Sequence, residues 1–201
     1  MDEGATSLAV MIGARVRQAR QSRRWTLDHL AEVAGVSRRM VVSVEQGSVN
    51  PSIGTLLRLS AALGVGLPSL VEPAGPAPVQ VTRCGQGAVL WRSDSGGRAV
   101  LVAGTDRPDV VELWDWTLGA GDLHVSEAHT AGTKELVQVQ TGSVTITVGD
   151  QSVTLEAGDA VAFGGDAAHS YANPGTQRAT FSLAVFEPGA GSGPRSGVHD
   201  G

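Results

Sequence analysis

The hydrophobic pattern of this chain changes period once, near residue 72, and that change decides what it can fold into. Before it, apolar residues recur three and four apart, as Leu8, Met11, Ile12, Val16 and Ala19 do on one helical face. After it, short alternating runs are broken by Gly and Asp, the pattern of half-buried strands. Between the two lies EPAGPAPV (Glu72–Val79), a Pro- and Ala-rich stretch that reads as a linker. A chain of 201 residues is long enough for two small domains. The expectation is a multidomain α + β protein: a helical domain over 1–71, a linker over 72–79, and a strand-rich domain over 80–187. The tail 188–201, PGAGSGPRSGVHDG, has too few apolar residues to bury and is expected to be disordered.

Composition excludes several alternatives. The 27 Gly and 9 Pro call for many turns rather than a bundle of long helices. Cys84 is the single cysteine, so an internal disulfide framework and a Cys-based zinc site are both excluded. No apolar run approaches the roughly 18 residues of a membrane span, and MDEGATS is no signal peptide, which points to a cytosolic chain without membrane contact. Charge is uneven, with a net of +2 over residues 1–72 and −7 over the rest. A weakly basic first third on an acidic remainder suggests that only the N-terminal part meets a polyanion.

Five helices can be read in that first part. The first runs from about Ser7 to Arg23. Thr26 can cap the second, which buries Leu27, Leu30, Ala31 and Ala34 and stops at Gly35. Ser37 can cap the third, carrying Val41 and Val44 and stopping at Gly47; Ser52 can cap the fourth, with Leu56, Leu59, Ala62 and Leu63. A short fifth covers Pro68–Val71. The second and third meet across Ala34-Gly35-Val36-Ser37, where Gly35 permits positive φ and Val36 can plug the angle, a helix-turn-helix arrangement.

The stretch LDHLAEVAGVSRRMVVSVEQGSVNPSIGTLLRLSAALGV closely resembles the phage-repressor-type (Cro/repressor, Xre-like) DNA-binding domains, with Leu30-Ala31, Gly35-Val36-Ser37, Glu45-x-Gly47, Pro51 and Leu63 at the family's spacing. The resemblance implies that the third helix enters the major groove of double-stranded DNA. By position, the DNA-binding candidates are Ser37, Arg38, Arg39 and, one turn on, Ser43. Arg is the side chain that forks onto guanine O6 and N7, while a phosphate contact is the alternative for either Arg38 or Arg39. Thr26 would offer its amide and hydroxyl to a phosphate. The same resemblance implies a structural Arg20–Glu45 ion pair joining helices one and three. Arg15, Arg17, Arg23 and Arg24 read as a solvated basic face.

In the second part, strand-like segments fall at Gly87–Arg92, Ala99–Ala103, Val110–Thr117, Leu123–Ala128, Glu135–Thr141, Ser143–Val148, Ser152–Leu155, Ala160–Phe163, Ser170–Ala172 and Ala179–Phe186. Many short strands with Gly- and Asp-rich connections suggest a sandwich or barrel. The block HTAGTKELVQVQTGSVTITVGDQSVTLEAGDAVAFGGDAAHSYANPG resembles the cupin jelly-roll β-barrel. His129, Glu135 and Gly142 match its first motif, whose second His position is Ala131 here; Gly158, His169 and Asn173 match its second.

A complete cupin site offers three His and one Glu to a divalent metal, and this chain keeps His129, Glu135 and His169. Two His and a carboxylate still define a facial triad suited to Fe(II), with Zn, Mn and Ni as other candidates. A metal-free polar cluster is the alternative reading. Glu135, Val137, Val139 and Thr141 share a face, which puts the carboxylate inside the barrel; His169 and Tyr171 likewise share one. Glu127 and His124 could replace the missing ligand but read as surface strand residues. Trp114, Trp116, Phe163 and Tyr171, with Trp91, are candidates for a ligand pocket or for ordinary core packing. Cys84 reads as a small apolar residue or an incidental thiol.

Together the two resemblances imply a transcription regulator. Its cupin barrel would bind a small-molecule effector and pair two chains on a pseudo-palindromic operator. The rival is an enzyme, since some proteins of this layout are mononuclear non-haem iron oxygenases, an antibiotic-pathway epoxidase among them. The surviving first-motif His of those enzymes would correspond to Ala131.

Overall fold

The structure, a computed structural model, describes residues 3–71, 79–105 and 109–189. The expected 72–79 linker, apart from Val79, and the expected tail from residue 190 lie outside them. The first part forms α1 (Glu3–Ser22), α2 (Leu27–Ala34), α3 (Arg38–Glu45), α4 (Ile53–Leu63) and α5 (Leu67–Val71). α1 starts four residues before the expected Ser7, and α3 ends at Glu45, two residues short of Gly47.

The caps fall where the side chains allow them. The hydroxyls of Thr26, Ser37 and Ser52 accept from the amides of His29, Met40 and Thr55 at 3.1, 3.1 and 3.2 Å, each cap stabilising its helix by about 1 kcal/mol. Gly35 takes φ 62°, which costs glycine nothing and turns the chain sharply from α2 into α3. Ile12, Val16, Leu30, Val41, Val44, Leu56, Leu59 and Leu63 fill the space between the helices and are all buried. α1 and α3 approach backbone to backbone at Gly13, where a Cβ would stand 2.3 Å from the Val44 carbonyl oxygen.

The second part forms β1 (Ala88–Arg92), β2 (Arg98–Gly104), β3 (Val110–Leu118), β4 (Leu123–Ser126), β5 (Lys134–Thr141), β6 (Ser143–Val148), β7 (Gln151–Glu156), β8 (Ala160–Gly164), β9 (His169–Ala172) and β10 (Ala179–Glu187). They pair antiparallel in two sheets, ordered β1-β2-β3-β10-β5-β8 and β4-β9-β6-β7. This is the expected cupin jelly roll, its two inner faces packed on each other. Alternation sets which side chains face in: Trp114, Trp116 and Leu118 from β3, Glu135, Val137 and Val139 from β5, and Phe181, Leu183 and Val185 from β10.

The outer faces differ. That of the smaller sheet carries Thr145, Thr147, Ser152 and Thr154, paired by hydroxyl hydrogen bonds. That of the larger sheet leaves Val111, Leu113 and Leu136 42, 45 and 54% exposed on the two strands that flank β10. The two domains meet in one continuous apolar cluster. α5 packs on β2, with Leu67, Leu70 and Val71 buried, and Gly66 lets the backbone pass so close to β3 that a Cβ would reach Val110 at 3.0 Å. Among the described residues no helix is long and apolar enough to cross a membrane.

Candidate nucleic-acid interface and candidate metal centre

α3 presents its first turn to solvent. Ser37, Arg38 and Arg39 are exposed with the rest of the chain in place, and Thr26 at the start of α2 is exposed beside them. Arg38 Nε lies 3.0 Å from Asp28, an ion pair with side chains 59 and 73% exposed that a phosphate or base edge can displace at little cost. The hydroxyls of Thr26 and Ser37 are occupied as helix caps, leaving each its O–H to donate. Ser43, one turn further on, is half-buried.

Arg20 clamps α3 from behind. Its Nε and Nη2 meet the two Glu45 oxygens at 2.6 and 2.8 Å, and Nη1 donates to the Trp25 carbonyl at 2.8 Å. The Glu45 carboxylate raises the pKa of Arg20 against the lowering effect of burial, so the fork stays charged. The basic face is less uniform than expected: Arg17, Arg23 and Arg24 are exposed, whereas Arg15 is half-buried and engaged.

The jelly roll gathers a second set. β5 carries Glu135 inward, β9 carries His169 inward, and the loop before β5 brings in His129, held by its amide on the Gly165 carbonyl at 2.9 Å. The three ligand atoms lie within 4.8 Å of one another. Glu135 Oε1 is 3.1 Å from His129 Nε2 and 3.2 Å from His169 Nε2, yet neither contact has hydrogen-bond geometry, so Oε1 and His169 Nε2 are both buried without an aligned partner. The Tyr171 hydroxyl donates to the other oxygen, Oε2. His169 Nδ1 donates to the Ala167 carbonyl at 2.8 Å. With that proton committed, Nε2 faces a carboxylate oxygen as a bare lone pair unless a proton or a cation lies between them. That arrangement fits a divalent metal on a two-His, one-carboxylate face.

The electrostatics agree. Burial alone would raise Glu135, but the imidazoles of His129 and His169 and the Tyr171 hydroxyl outweigh it and hold the carboxyl at about 2. Burial likewise lowers His169, and the Glu135 carboxylate overcomes it and raises the group. Tyr171 is raised by burial and by the adjacent carboxylate, so it stays a neutral donor.

The cavity above this cluster is lined by Trp114, Trp116, Tyr171, His124, Glu112 and Leu183, and, from the head, Ile53 and Leu57 of α4. Three of the five expected pocket aromatics therefore line it; Trp91 lines the cleft between α1 and β1 instead. Phe163 does not line the cavity; it packs edge-on behind His169 at 5.4 Å. Trp116 stacks on Phe181 at 5.6 Å, and its indole N–H is buried with no acceptor among the described residues. A larger cleft of about 920 Å³ between α1 and β1 holds none of the His–Glu–His set.

His124 corrects a sequence expectation. It is no surface residue: its ring packs on Trp116 at 4.8 Å and Trp91 at 5.3 Å, and burial, then the charge of His169, lower its pKa to about 4. It stays outside the metal-ligand cluster. Glu127 is a surface residue, as expected, and pairs with Arg58 of α4 at 2.5 Å. Ala131, in the place of the missing histidine, is exposed, and so is the free thiol of Cys84. Glu112 was legible in the alternation of β3, between Val110 and Trp114, but did not stand out as a site residue.

Known proteins agree with both halves. Residues 16–70 match the helix-turn-helix family and residues 114–186 match the cupin domain family. The HTH-type transcriptional regulator SutR of Escherichia coli is 28% identical over 90% of this chain and 98% of its own length. The uncharacterized HTH-type transcriptional regulator y4dJ of Sinorhizobium fredii is 31% identical over 34% of this chain and 88% of its own. In the solved structures, an HTH_3 family transcriptional regulator from Vibrio cholerae superposes with a TM-score of 0.68 over 92% of this chain and 99% of that one, at 22% identity, a likeness of fold.

The matched domains and relatives define a transcriptional regulator with a helix-turn-helix head. The chain belongs to the Xre-type helix-turn-helix regulators that carry a C-terminal cupin domain.

Proposed function

We propose that this regulator reads a specific operator through Arg38 and Arg39 and that its cupin cavity binds a small-molecule effector. His129, Glu135 and His169 hold a divalent metal in this reading, Fe(II) being the ion best suited to the triad. The metal would supply an anchoring charge for the effector. The chain's own residues do the rest: Tyr171 fixes the Glu135 carboxylate, the Ala167 carbonyl orients His169, and Trp116 offers its free N–H to an acceptor on the ligand. The observation that carries the reading is the pair of buried, facing atoms Glu135 Oε1 and His169 Nε2 in a chain whose α3 arginines stand uncovered.

Pairing of two chains through the outer face of the larger sheet is part of the proposal. Val111, Leu113 and Leu136 are exposed there across the middle of the sheet, while on the outer face of the smaller sheet the exposed apolar residues Leu123 and Val125 are confined to the edge strand β4, beside a row of hydroxyls. Such a pair would set two heads about 34 Å apart, on successive major-groove faces of a pseudo-palindrome.

Metal analysis of protein purified without chelator, combined with mobility shift on the DNA upstream of its own gene, tests the reading. Wild type retains near-stoichiometric metal and His129→Ala loses it while folding normally. Arg38→Ala and Arg39→Ala each reduce preference for the operator over random DNA by about 1–3 kcal/mol. Full metal retention in His129→Ala refutes the metal centre, and undiminished preference in both arginine variants refutes α3 as the reader. Turnover of oxygen by the metal-loaded protein would favour the oxygenase reading instead.

A further inference from the structure

The wall of the cupin cavity is not built by the jelly roll alone. Ile53 and Leu57 stand one helical turn apart on α4, on one face of that helix, and both reach the cavity that Trp114, Trp116, His129 and Glu135 line from within. With α4 in place the space inside the mouth is about 30 Å³. That is room for a water molecule, against roughly 300–1,000 Å³ for sites that take a metabolite. Outside the seam, a groove of about 240 Å³ runs between α4 and the β4–β5 loop, lined by Gly54, Arg58 and Ala61 on one side and by Glu127, Ala128 and Thr130 on the other. Leu57, Ser126, His129 and Glu187 line both spaces and stand between them.

We propose that α4 of the DNA-binding head is the lid of the cupin cavity, with Leu57 as the gate and the Arg58–Glu127 pair as its latch. This rests on the reading of the cavity as the effector site. A ligand larger than water finds room beside Glu135 and Trp116, inside the mouth, when α4 moves off it. The latch suits that role, because an exposed ion pair with side chains 40 and 75% accessible is weak enough for a ligand to open. α4 packs on α2, and α2 on α3, within one apolar cluster that holds Leu56, Leu59, Val41 and Val44, so a shift of α4 is passed to the helix that carries Arg38 and Arg39. Occupied cavity and latched head therefore exclude each other, which gives an effector different affinities for the two arrangements, the condition for any allosteric effect.

The test is cysteine accessibility in the full chain, which needs neither metal nor DNA, so it succeeds or fails independently of the effector reading. In a Cys84→Ser background, Val185→Cys places a thiol on the inner wall of the cavity, and Val139→Cys places one in the barrel core away from α4. Both are labelled with iodoacetamide. Arg58→Glu sets two carboxylates against each other and speeds labelling at position 185 by about fivefold. It leaves position 139 unchanged, and the swap Arg58→Glu with Glu127→Arg returns the rate to within about twofold of the starting protein. Equal rates at 185 with and without Arg58→Glu, or a matching rise at 139, overturn the proposal, as does failure of the swapped pair to restore protection.

Discussion

Glu135→Gln keeps the size and shape of the side chain and removes its titration. The Glu135 carboxyl falls from a reference of 4.5 to about 2 in the folded chain, because the His129 and His169 imidazoles and the Tyr171 hydroxyl outweigh the cost of burying it. At about 1.4 kcal/mol per pKa unit, that difference corresponds to about 3 kcal/mol of stability. Because the folded value is depressed, this stability is fully present above pH 4.5 and is lost as pH falls toward 2. His169 adds the opposite limb: its folded value is raised, so its contribution is fully present below pH 6.5 and is lost as pH climbs from there through the raised folded value. Metal-free wild type should therefore be most stable between pH 4.5 and 6.5 as far as this cluster is concerned. Urea unfolding in chelator, followed by tryptophan fluorescence across pH 2 to 8, measures it. The gap between wild type and Glu135→Gln should shrink by about 3 kcal/mol from pH 5 to pH 2, since every other carboxylate is common to both. Parallel stability curves over that range would refute the assignment of Glu135 as the buried anion that organises the two histidines.

Three further predictions concern the head. Arg20→Ala leaves Glu45, its side chain only 7% exposed, without its two-pronged partner and should destabilise the helical domain by about 3–5 kcal/mol in urea unfolding followed by far-UV circular dichroism. Gly13→Ala forces a methyl within 2.3 Å of the Val44 carbonyl oxygen and should cost about 1–3 kcal/mol by the same measurement, whereas Gly54→Ala meets nothing within 4 Å on α4 and should stabilise by up to about 1 kcal/mol.

Local signals made most of the fold legible. Thr26, Ser37 and Ser52 cap helices because short hydroxyl side chains satisfy the first free amides, and Gly35 turns the chain because it alone enters positive φ without strain. Period-two alternation placed Glu135, His169 and Tyr171 on inner faces. Where alternation failed, the physical cause is visible. In β4 the apolar residues Leu123 and Val125 are the exposed ones, 58 and 67%, and His124 and Ser126 turn inward, so the usual assignment of apolar to core inverts the strand. The expected strand Leu123–Ala128 also ran two residues too far, because Glu127 leaves the sheet to meet Arg58, 69 residues away. Nothing local marks Ile53 and Leu57 as cavity residues; on α4 they look like any pair on an apolar face until the second domain arrives.

A head and a barrel joined by a short segment look like interchangeable modules, yet the seam at α5 argues otherwise. Leu67, Leu70 and Val71 are interior residues of both halves at once. Cutting between the halves would bare oily surface on each, and grafting a foreign reading head would require it to bring a matching α5. Recombination in this lineage should therefore exchange whole chains, or heads that include that last helix, rather than cutting at its N-terminal side.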